Sequence, residues 1–267
     1  MKKLLAAILA TLLLFSLVAC NRKDDDNGSG ISDYSEATTY QVKDAEGNLL
    51  GTISYKAKGT DYAIITGYNS ETHRAHSVVI PEVLPGSERT VVEIGEGAFK
   101  SCTYVTSVAL PETVEVIGDW AFADCSSIHS MTIPANVVSI GEGAFLGCDA
   151  LTAVKFAQEK PLLETIGSTA FGKCSALVDV KLPEGVVSIG DGAFFDCSAL
   201  NTVALPQSLK TIGSTAFAKC DAITSITLGD NVSELGEYAL GDIPHDALTY
   251  NKDTATAKAI ATAYGIK

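Results

Sequence analysis

The amino-acid sequence predicts an α+β repeat solenoid with parallel strands, an N-terminal β cap and a C-terminal helical cap. Three observations support this fold class: a motif that recurs along most of the chain, alternating apolar segments before its first copy, and an Ala-rich segment after its last. With 267 residues, 46% of them hydrophobic, the chain can also build a continuous core.

The recurring motif reads Ile-Gly-x-x-Ala-Phe, with a Cys three residues after the Phe. Full copies begin at Ile94, Ile117, Ile140, Ile166, Ile189 and Ile212, and a degenerate copy runs from Leu235 to Leu240. The step between copies is 23 residues, except for one step of 26. A unit this short cannot bury its own apolar side, so the units are expected to stack and share one core.

Within each unit, the residues predict one strand and one turn. Val105, Val108, Leu110 and Pro111 illustrate a short strand with inward apolar residues, ended by proline. The recurring glycine is expected either to adopt a positive φ or to allow neighbouring coils to approach closely. The Ala-Phe pair is expected to point its ring inward from a short helical or 3₁₀ turn.

Six cysteines occupy the same inward position of successive units: Cys102, Cys125, Cys148, Cys174, Cys197 and Cys220. Parallel side chains at strand spacing lie further apart than the Cβ atoms of a disulfide. We therefore predict buried free thiols, with disulfides and a metal site as the alternatives.

The ends of an open solenoid need caps, because they would expose core and unpaired strand edges. Thr39–Lys43, Leu49–Tyr55 and Tyr62–Gly67 alternate in hydrophobicity and predict a hairpin plus a third strand. Thr254 to Tyr264 predicts a closing helix. The predicted divisions are an N-terminal β cap at 37–76, a solenoid of about seven repeats at 77–250, and a C-terminal capping helix at 251–267.

The N-terminus predicts export. A positive start and an apolar run from Leu4 to Val18 are typical of a signal peptide at 1–20, and 21–36 reads as a flexible tether. Small residues before Cys20 resemble a bacterial lipobox, which implies lipidation of Cys20; an ordinary secretory signal or an anchor helix is the alternative. Lys23-Asp24-Asp25 resembles the export signal of Bacteroidetes lipoproteins, which implies an outer-membrane lipoprotein at the cell surface; a solvated tether is the alternative.

The repeat resembles the leucine-rich repeats of the BspA-like (Treponema pallidum-type) family, found in surface lipoproteins of Bacteroidetes. The resemblance covers roughly residues 60 to 250 and implies a leucine-rich-repeat solenoid used in adhesion. The chain departs from the family pattern at Leu240, which replaces Phe, and at Ile243, which replaces Cys. The last coil is therefore expected to be a terminal one.

Charge and motifs exclude several function classes. The chain has 19 Lys+Arg against 32 Asp+Glu, a formal net charge of −13, which argues against nucleic-acid binding. No catalytic constellation, cofactor motif or zinc pair can be assembled, so we predict neither an enzyme nor a cofactor. His73 and His76 are expected in a solvated loop, with a metal site as the alternative. The recurring acidic residues after the glycines are expected to be solvated, with calcium binding as the alternative.

The remaining candidates for function are surface positions. Five form the candidate binding surface: Trp120, Lys155, Asp179, Lys181 and Phe195. Asp253-Thr254-Ala255 resembles a Bacteroidetes O-glycosylation motif, which makes Thr254 a candidate acceptor; a helix N-terminal residue is the alternative.

We predict a monomer, attached to the membrane only through its N-terminal lipid, that binds extracellular or host proteins. The alternatives are glycan binding within a nutrient-capture system and a structural envelope spacer.

Overall fold

The computed structural model describes residues 38–157 and 160–264, and this part of the chain forms a parallel β solenoid of about seven coils with one C-terminal helix. The predicted signal peptide, Cys20 and the tether lie outside the described residues. We number the coils by the recurring motif, so that coil 1 begins at Ile94 and coil 7 at Leu235.

The N-terminal cap is an antiparallel sheet, as its alternating sequence predicts. It consists of β1 (Thr38–Lys43), β2 (Leu49–Lys58) and β3 (Tyr62–Ser70). β2 pairs antiparallel with both neighbours, and β3 then pairs parallel with the first coil, where Ile65 lies opposite Ile94. The cap thus extends the sheet of the solenoid rather than packing against it.

The solenoid strands follow one another in short segments. They are β4 (His76–Val79), β5 (Val83–Leu84), β6 (Arg89–Ile94), β7 (Val105–Ala109), β8 (Val116–Ile117), β9 (Ser130–Ile133), β10 (Ser139–Ile140), β11 (Ala153–Phe156), β12 (Thr165–Ile166), β13 (Asp179–Lys181), β14 (Ser188–Ile189), β15 (Thr202–Ala204), β16 (Thr211–Ile212), β17 (Ile226–Thr227), β18 (Glu234–Leu235) and β19 (Leu248–Thr249).

These strands form two columns, whereas the sequence predicted one. Sheet 1 runs β1-β2-β3-β6-β8-β10-β12-β14-β16-β18, with β5 also paired to β6. Sheet 2 runs β9-β11-β13-β15-β17-β19, preceded by the β4–β7 pair. The predicted Val-x-Leu strands belong to sheet 2. Sheet 1 contains the residue pair before each glycine, which is too short to show alternation in the sequence.

The segment between each glycine and cysteine forms separate turns with the three-residue hydrogen bonds of the expected 3₁₀ turn, but these turns do not join into a helix. In coil 1, the N–H groups of Gly97 and Phe99 donate to carbonyls of coil 2, while those of Ala98 and Lys100 donate within their own turn. Gly97 has a φ of 60° and Ser101 a φ of 59°, and such left-handed residues interrupt a helix. Alternate residues are thereby free to bond to the next coil.

An aromatic ladder fills the core, as the inward Phe prediction requires. Seven fully buried rings stack with centroids 5.1–5.3 Å apart: Tyr68, Phe99, Phe122, Phe145, Phe171, Phe194 and Phe217. The cap supplies the first ring through Tyr68, and buried Leu240 takes the ring's place in coil 7. The ladder therefore links the cap and the first six coils in one core.

The recurring glycines allow close approach between coils, the second of the two predicted roles. A Cβ atom at Gly190 would lie 2.6 Å from the backbone nitrogen of Ser168 in the preceding coil. The glycines at this position do not have a positive φ; the left-handed residue lies two positions later in each coil. Backbone contact across the stack, rather than backbone conformation, accounts for glycine here.

The C-terminal end is closed by a 3₁₀ turn at His245–Ala247 and by helix α1 (Ala255–Tyr264), which matches the predicted closing helix. Ile260 is fully buried, and the buried Thr256 hydroxyl donates to the Gly229 carbonyl at 2.6 Å. The apolar side of α1 covers the open end of the stack.

Candidate interaction surfaces

The outer side of sheet 2, which we call the strand face, carries three of the five candidate residues. Lys155, Asp179 and Lys181 are all exposed. Ala153 pairs in register with Asp179, so Lys155 and Lys181, two residues further along their strands, lie opposite each other on the same side. The structure therefore brings the two lysines to adjacent parallel strands, about 4.8 Å apart in the sheet.

Around these charges the strand face carries small polar side chains. Inward positions such as Met131 and Val180 are buried, while the alternate positions face outward. The outward positions include Ser130, Thr132, Thr202, Ala204 and Thr227. Apart from the two lysines, these outward positions thus offer small side chains, most of them with a hydroxyl group, that would not obstruct a partner.

The lysines of the strand face have no ion-pair partner. Among the described residues, the one ion pair joins Lys58 of the cap to Glu93 of the first coil, at 2.9 Å. Lys155 and Lys181 thus remain free cations in a chain with 32 acidic residues. The strand face thus presents two unneutralised positive charges side by side.

Trp120 and Phe195 lie elsewhere, on the opposite turns, and both are half-buried. Trp120 has a φ of 51° and its indole covers Gly143 of the next coil. The Lys100 ammonium lies 5.8 Å from the Trp120 ring centroid, and a second lysine lies over Phe195. Packing against neighbouring turns partly buries each ring. Because the two rings and the three charged residues lie on different faces, the five candidate residues do not form one site.

The acidic residues after the recurring glycines are exposed and partly tied to backbone. Asp119 accepts a hydrogen bond from the Glu142 N–H at 2.8 Å, and Asp191 accepts one from the Ser214 N–H at 2.6 Å. Within residues 38–157 and 160–264, no group of three or more His, Cys, Asp or Glu side chains comes together to hold a metal ion.

Five of the six repeat cysteines are buried free thiols, as predicted. Each Sγ donates to the carbonyl of a Phe in the preceding coil, at 2.9–3.2 Å: Cys125, Cys148, Cys174, Cys197 and Cys220.

Cys102 is buried as well but is not among the free thiols, so the prediction of free thiols is confirmed at the other five positions only. It is the first of the column, next to the cap, and its Sγ lies 3.9 Å from the Tyr68 carbonyl. No disulfide joins Cys125, Cys148, Cys174, Cys197 or Cys220 to its neighbour in the column, since all five are free. The spacing argument therefore holds within the column.

Burial makes four of these thiols unreactive, whereas a hydrogen bond with Cys197 lowers the pKa of the fifth, Cys220. Burial raises the pKa of Cys125 and of Cys174 to about 12, and it raises the pKa of Cys148 well above its ordinary value. A hydrogen bond with Cys220, together with burial, raises the pKa of Cys197. A thiol in the unfolded chain has a pKa near 9. The raised pKa values of Cys125 and Cys174 therefore contribute stability that is fully present below pH 9 and is lost as the pH rises from about 9 to 12.

We expect iodoacetamide at pH 8 to leave four thiols unmodified in the native protein and to alkylate all of them after unfolding in guanidinium: Cys125, Cys148, Cys174 and Cys197. The thiolate is the reactive form, and burial suppresses it. Peptide mapping by mass spectrometry would measure the modification at each position. Rapid native alkylation of Cys148 would contradict a sealed core.

His76 was expected to lie in a solvated loop, and this prediction is wrong. It begins β4 and is buried, with its Nε2 2.7 Å from the Tyr68 hydroxyl and its Nδ1 2.8 Å from the Arg74 carbonyl. Nδ1 donates to the Arg74 carbonyl, and Nε2 shares a hydrogen bond with the Tyr68 hydroxyl, so both ring nitrogens are occupied. His73 remains exposed and contacts Tyr104, so the two histidines do not form a metal site.

Helix α1 positions the last candidate and a cleft that the sequence did not reveal. Thr254 lies just before α1, where its hydroxyl donates to the Asn251 carbonyl at 2.7 Å. A cleft of about 480 Å³ separates α1 from coils 6 and 7, with Lys258 and Glu234 on opposite walls. Its walls depend on how the helix docks, and none of the predicted site residues lines it. Within the described residues, no helix is long and apolar enough to cross a membrane.

Comparison with known proteins agrees with this architecture. The chain is similar in structure to a leucine-rich repeat protein from Bacteroides ovatus ATCC 8483 (29% identity, TM-score 0.62), with coverage of 74% of this chain and 59% of that one. It is also similar to the leucine-rich repeat protein of T. pallidum (28% identity, TM-score 0.65), with coverage of 79% of this chain and 92% of that one. The chain thus spans less than two thirds of the B. ovatus protein.

A third structure, a leucine-rich repeat protein from Eubacterium ventriosum ATCC 27560, shares the fold at 24% identity with a TM-score of 0.58, over 74% of this chain and 50% of that one. No curated protein matches the chain. The sequence itself matches the family described as BspA type leucine rich repeat region, with six copies, over residues 83–161 and 158–259.

Leucine-rich repeat proteins generally act as protein-interaction scaffolds, a non-enzymatic kind of protein. The family match covers well over half of the chain, and the stacked coils have the architecture that the matched repeats form. The chain therefore belongs to the BspA-type leucine-rich repeat family.

Proposed function

We propose that this protein is a lipid-anchored cell-surface adhesin whose strand face binds acidic segments of extracellular or host proteins. The observation that carries the proposal is the pair of unneutralised lysines, Lys155 and Lys181, opposite each other on adjacent strands. Like charges in that arrangement destabilise a sheet, and an anionic partner group would relieve their repulsion.

The surroundings of the lysines suit a broad protein contact rather than catalysis. Exposed hydroxyls such as those of Thr132 and Thr202 can donate to or accept from a partner. Asp179 on the same side adds a site for a basic group and would help to set the orientation of the partner. The proposal includes no cofactor and no reaction.

Export completes the proposal. Cys20 would carry the lipid and residues 21–36 would hold the solenoid away from an outer membrane, on its external side. Several acyl chains are needed for stable anchoring, since one gives only reversible binding. The protein would act as a monomer, and its net charge of −13 disfavours contact with nucleic acids or anionic lipid surfaces.

The test is binding of the full chain to a panel of purified extracellular-matrix proteins and glycans. For a ligand found in this way, Lys155→Glu combined with Lys181→Glu should weaken binding about tenfold or more, because attraction becomes repulsion. The matched control is Lys43→Glu combined with Lys56→Glu, two exposed cap lysines whose replacement gives the same net charge. Biolayer interferometry would measure both dissociation constants.

Equal weakening by both pairs would show that only net charge matters and would contradict a strand-face site. Glycan binding that is lost in Trp120→Ala would support the carbohydrate-binding alternative instead. A chain without any ligand in the panel would favour the structural spacer.

A further inference from the structure

In coils 1–6, the turns opposite the strand face follow a second pattern, with a period of two coils, from which coil 7 departs at Tyr238. We define the turn face as the residues between the recurring glycine and the cysteine position in coils 1–7. At the second position after the glycine, Gly97, Gly143 and Gly192 alternate with Trp120, Thr169 and Thr215. Just after the Phe, the alternation is reversed, because Ala123, Gly172 and Ala218 alternate with Lys100, Leu146 and Phe195.

Close stacking of the turns explains this alternation. The core rings of successive coils lie 5.1–5.3 Å apart, so two bulky side chains cannot occupy the same turn position in adjacent coils. A Cβ atom at Gly143 would collide with the Trp120 indole, and one at Gly172 would lie 3.0 Å from Leu146 Cδ1. Each large side chain thus lies over a small residue of the next coil.

The result is a zigzag strip of apolar groups that remain partly in solvent. Its apolar members are Trp120, Leu146 and Phe195, which are half-buried, and Tyr238 in coil 7, which is 54% exposed. Partly exposed apolar side chains on one face of a protein are typical of interaction surfaces.

The charges around the strip indicate the chemistry of its partner. The turn face has eight carboxylates and three lysines. Two of those lysines already lie over its rings: the Lys219 ammonium is 5.0 Å from the Phe195 centroid, and Lys100 lies over Trp120. The rings therefore accept ammonium groups, and the flanking acids favour further cations.

We infer that the turn face is a second docking surface, which takes a cationic polypeptide segment in which basic and apolar side chains alternate. The basic groups contact the carboxylates, and the apolar groups contact the zigzag strip. The strand face carries unpaired lysines, so the two faces select partners of opposite charge and can hold two partners at once.

Trp120 is the one tryptophan of the chain, so its fluorescence reports directly on this surface. The probe is a short peptide of alternating Lys and Leu, compared with one of alternating Lys and Ser, added to the full chain at about 0.15 M salt. We expect the Lys–Leu peptide to bind more tightly, and to shift the Trp120 emission as it binds.

The decisive variant combines Glu96→Gln, Asp119→Asn and Glu142→Gln, in which the Asn retains the acceptor oxygen for the Glu142 N–H. It should weaken binding of the Lys–Leu peptide about tenfold, because three nearby charges are lost. The control combines Glu46→Gln, Glu82→Gln and Glu88→Gln, exposed residues outside the turn face that give the same net charge. It should change the dissociation constant less than about twofold.

Three results would overturn the inference: equal weakening by the control, binding without a change in Trp120 emission, or no preference for Leu over Ser. The strand-face pair Lys155→Glu and Lys181→Glu should leave peptide binding intact. Loss of matrix binding in that pair with retained peptide binding would separate the two surfaces, so either proposal can fail without the other.

Discussion

Phe145→Ala is expected to lower the free energy of unfolding by about 3–5 kcal/mol, because it opens a cavity in the middle of the aromatic ladder. The Phe145 ring is fully buried and stacks on Phe122 at 5.2 Å and on Phe171 at 5.1 Å. Both neighbours are held by backbone bonds between coils, so the stack cannot close over the gap. No other side chain therefore replaces the contacts that the Phe145 ring makes with Phe122 and Phe171.

The damage should extend beyond coil 3, since every coil shares its core with the next. Urea unfolding followed by circular dichroism would measure the change in free energy, and amide exchange would show how many coils lose protection. The matched control is Phe195→Ala, another Phe→Ala change, at a half-buried ring on the turn face. It should cost about 1 kcal/mol or less. Wild-type stability in Phe145→Ala, or an equal loss in the control, would contradict this account of the core.

The repeat period made most of the fold predictable. A residue that recurs at one position of every unit must have the same environment in each coil, so the inward Phe and Cys columns follow from spacing alone. Outward positions such as Lys155 and Lys181 follow in the same way. The caps were predictable for a different reason, because an open stack requires them and the terminal sequences have strand and helix patterns.

Features that depend on contact between coils were not predictable in this way. The residue pair before each glycine forms a strand only because the next coil presents its partner, and Gly97 and Ser101 bond across coils because of their left-handed φ. His76 appeared solvated within a polar segment. It is buried because β4 places it against Tyr68, which lies outside the repeat pattern.

The candidate surfaces, too, combine features that follow from the repeat period with features that depend on contact between coils. The sequence identified Trp120 as unusual at its position, but whether its ring projects or packs depends on Gly143 in the following coil. The position of Lys155 opposite Lys181 could not be predicted, because it depends on the register between β11 and β13. The step between these two coils is 26 residues instead of 23, so the repeat period alone does not give that register. The cleft beside α1 could not be predicted, because it depends on how the helix packs against the last coils. A short Ala-rich segment does not indicate which side of the stack it contacts.

Gly190→Ala is expected to destabilise the protein by about 3 kcal/mol, although it adds a single methyl group. The new Cβ would lie 2.6 Å from the Ser168 nitrogen and 2.7 Å from the Gly167 carbonyl carbon. Both are backbone atoms, so no side chain can rotate away and the coils must separate. Separation would stretch the bond from the Gly190 N–H to the Ile166 carbonyl, now 2.8 Å, and would part the Phe rings behind it.

Gly67→Ala provides the control, because its Cβ would meet Ser54 Cβ at 3.8 Å, an ordinary contact, and its φ is not positive. This change should alter stability by less than about 1 kcal/mol, since alanine also restricts the unfolded chain. Urea midpoints of the two variants would decide the question. If Gly190→Ala unfolded at the wild-type midpoint, the coils could separate without loss of free energy, and backbone contact would not explain why glycine recurs at this position in every coil.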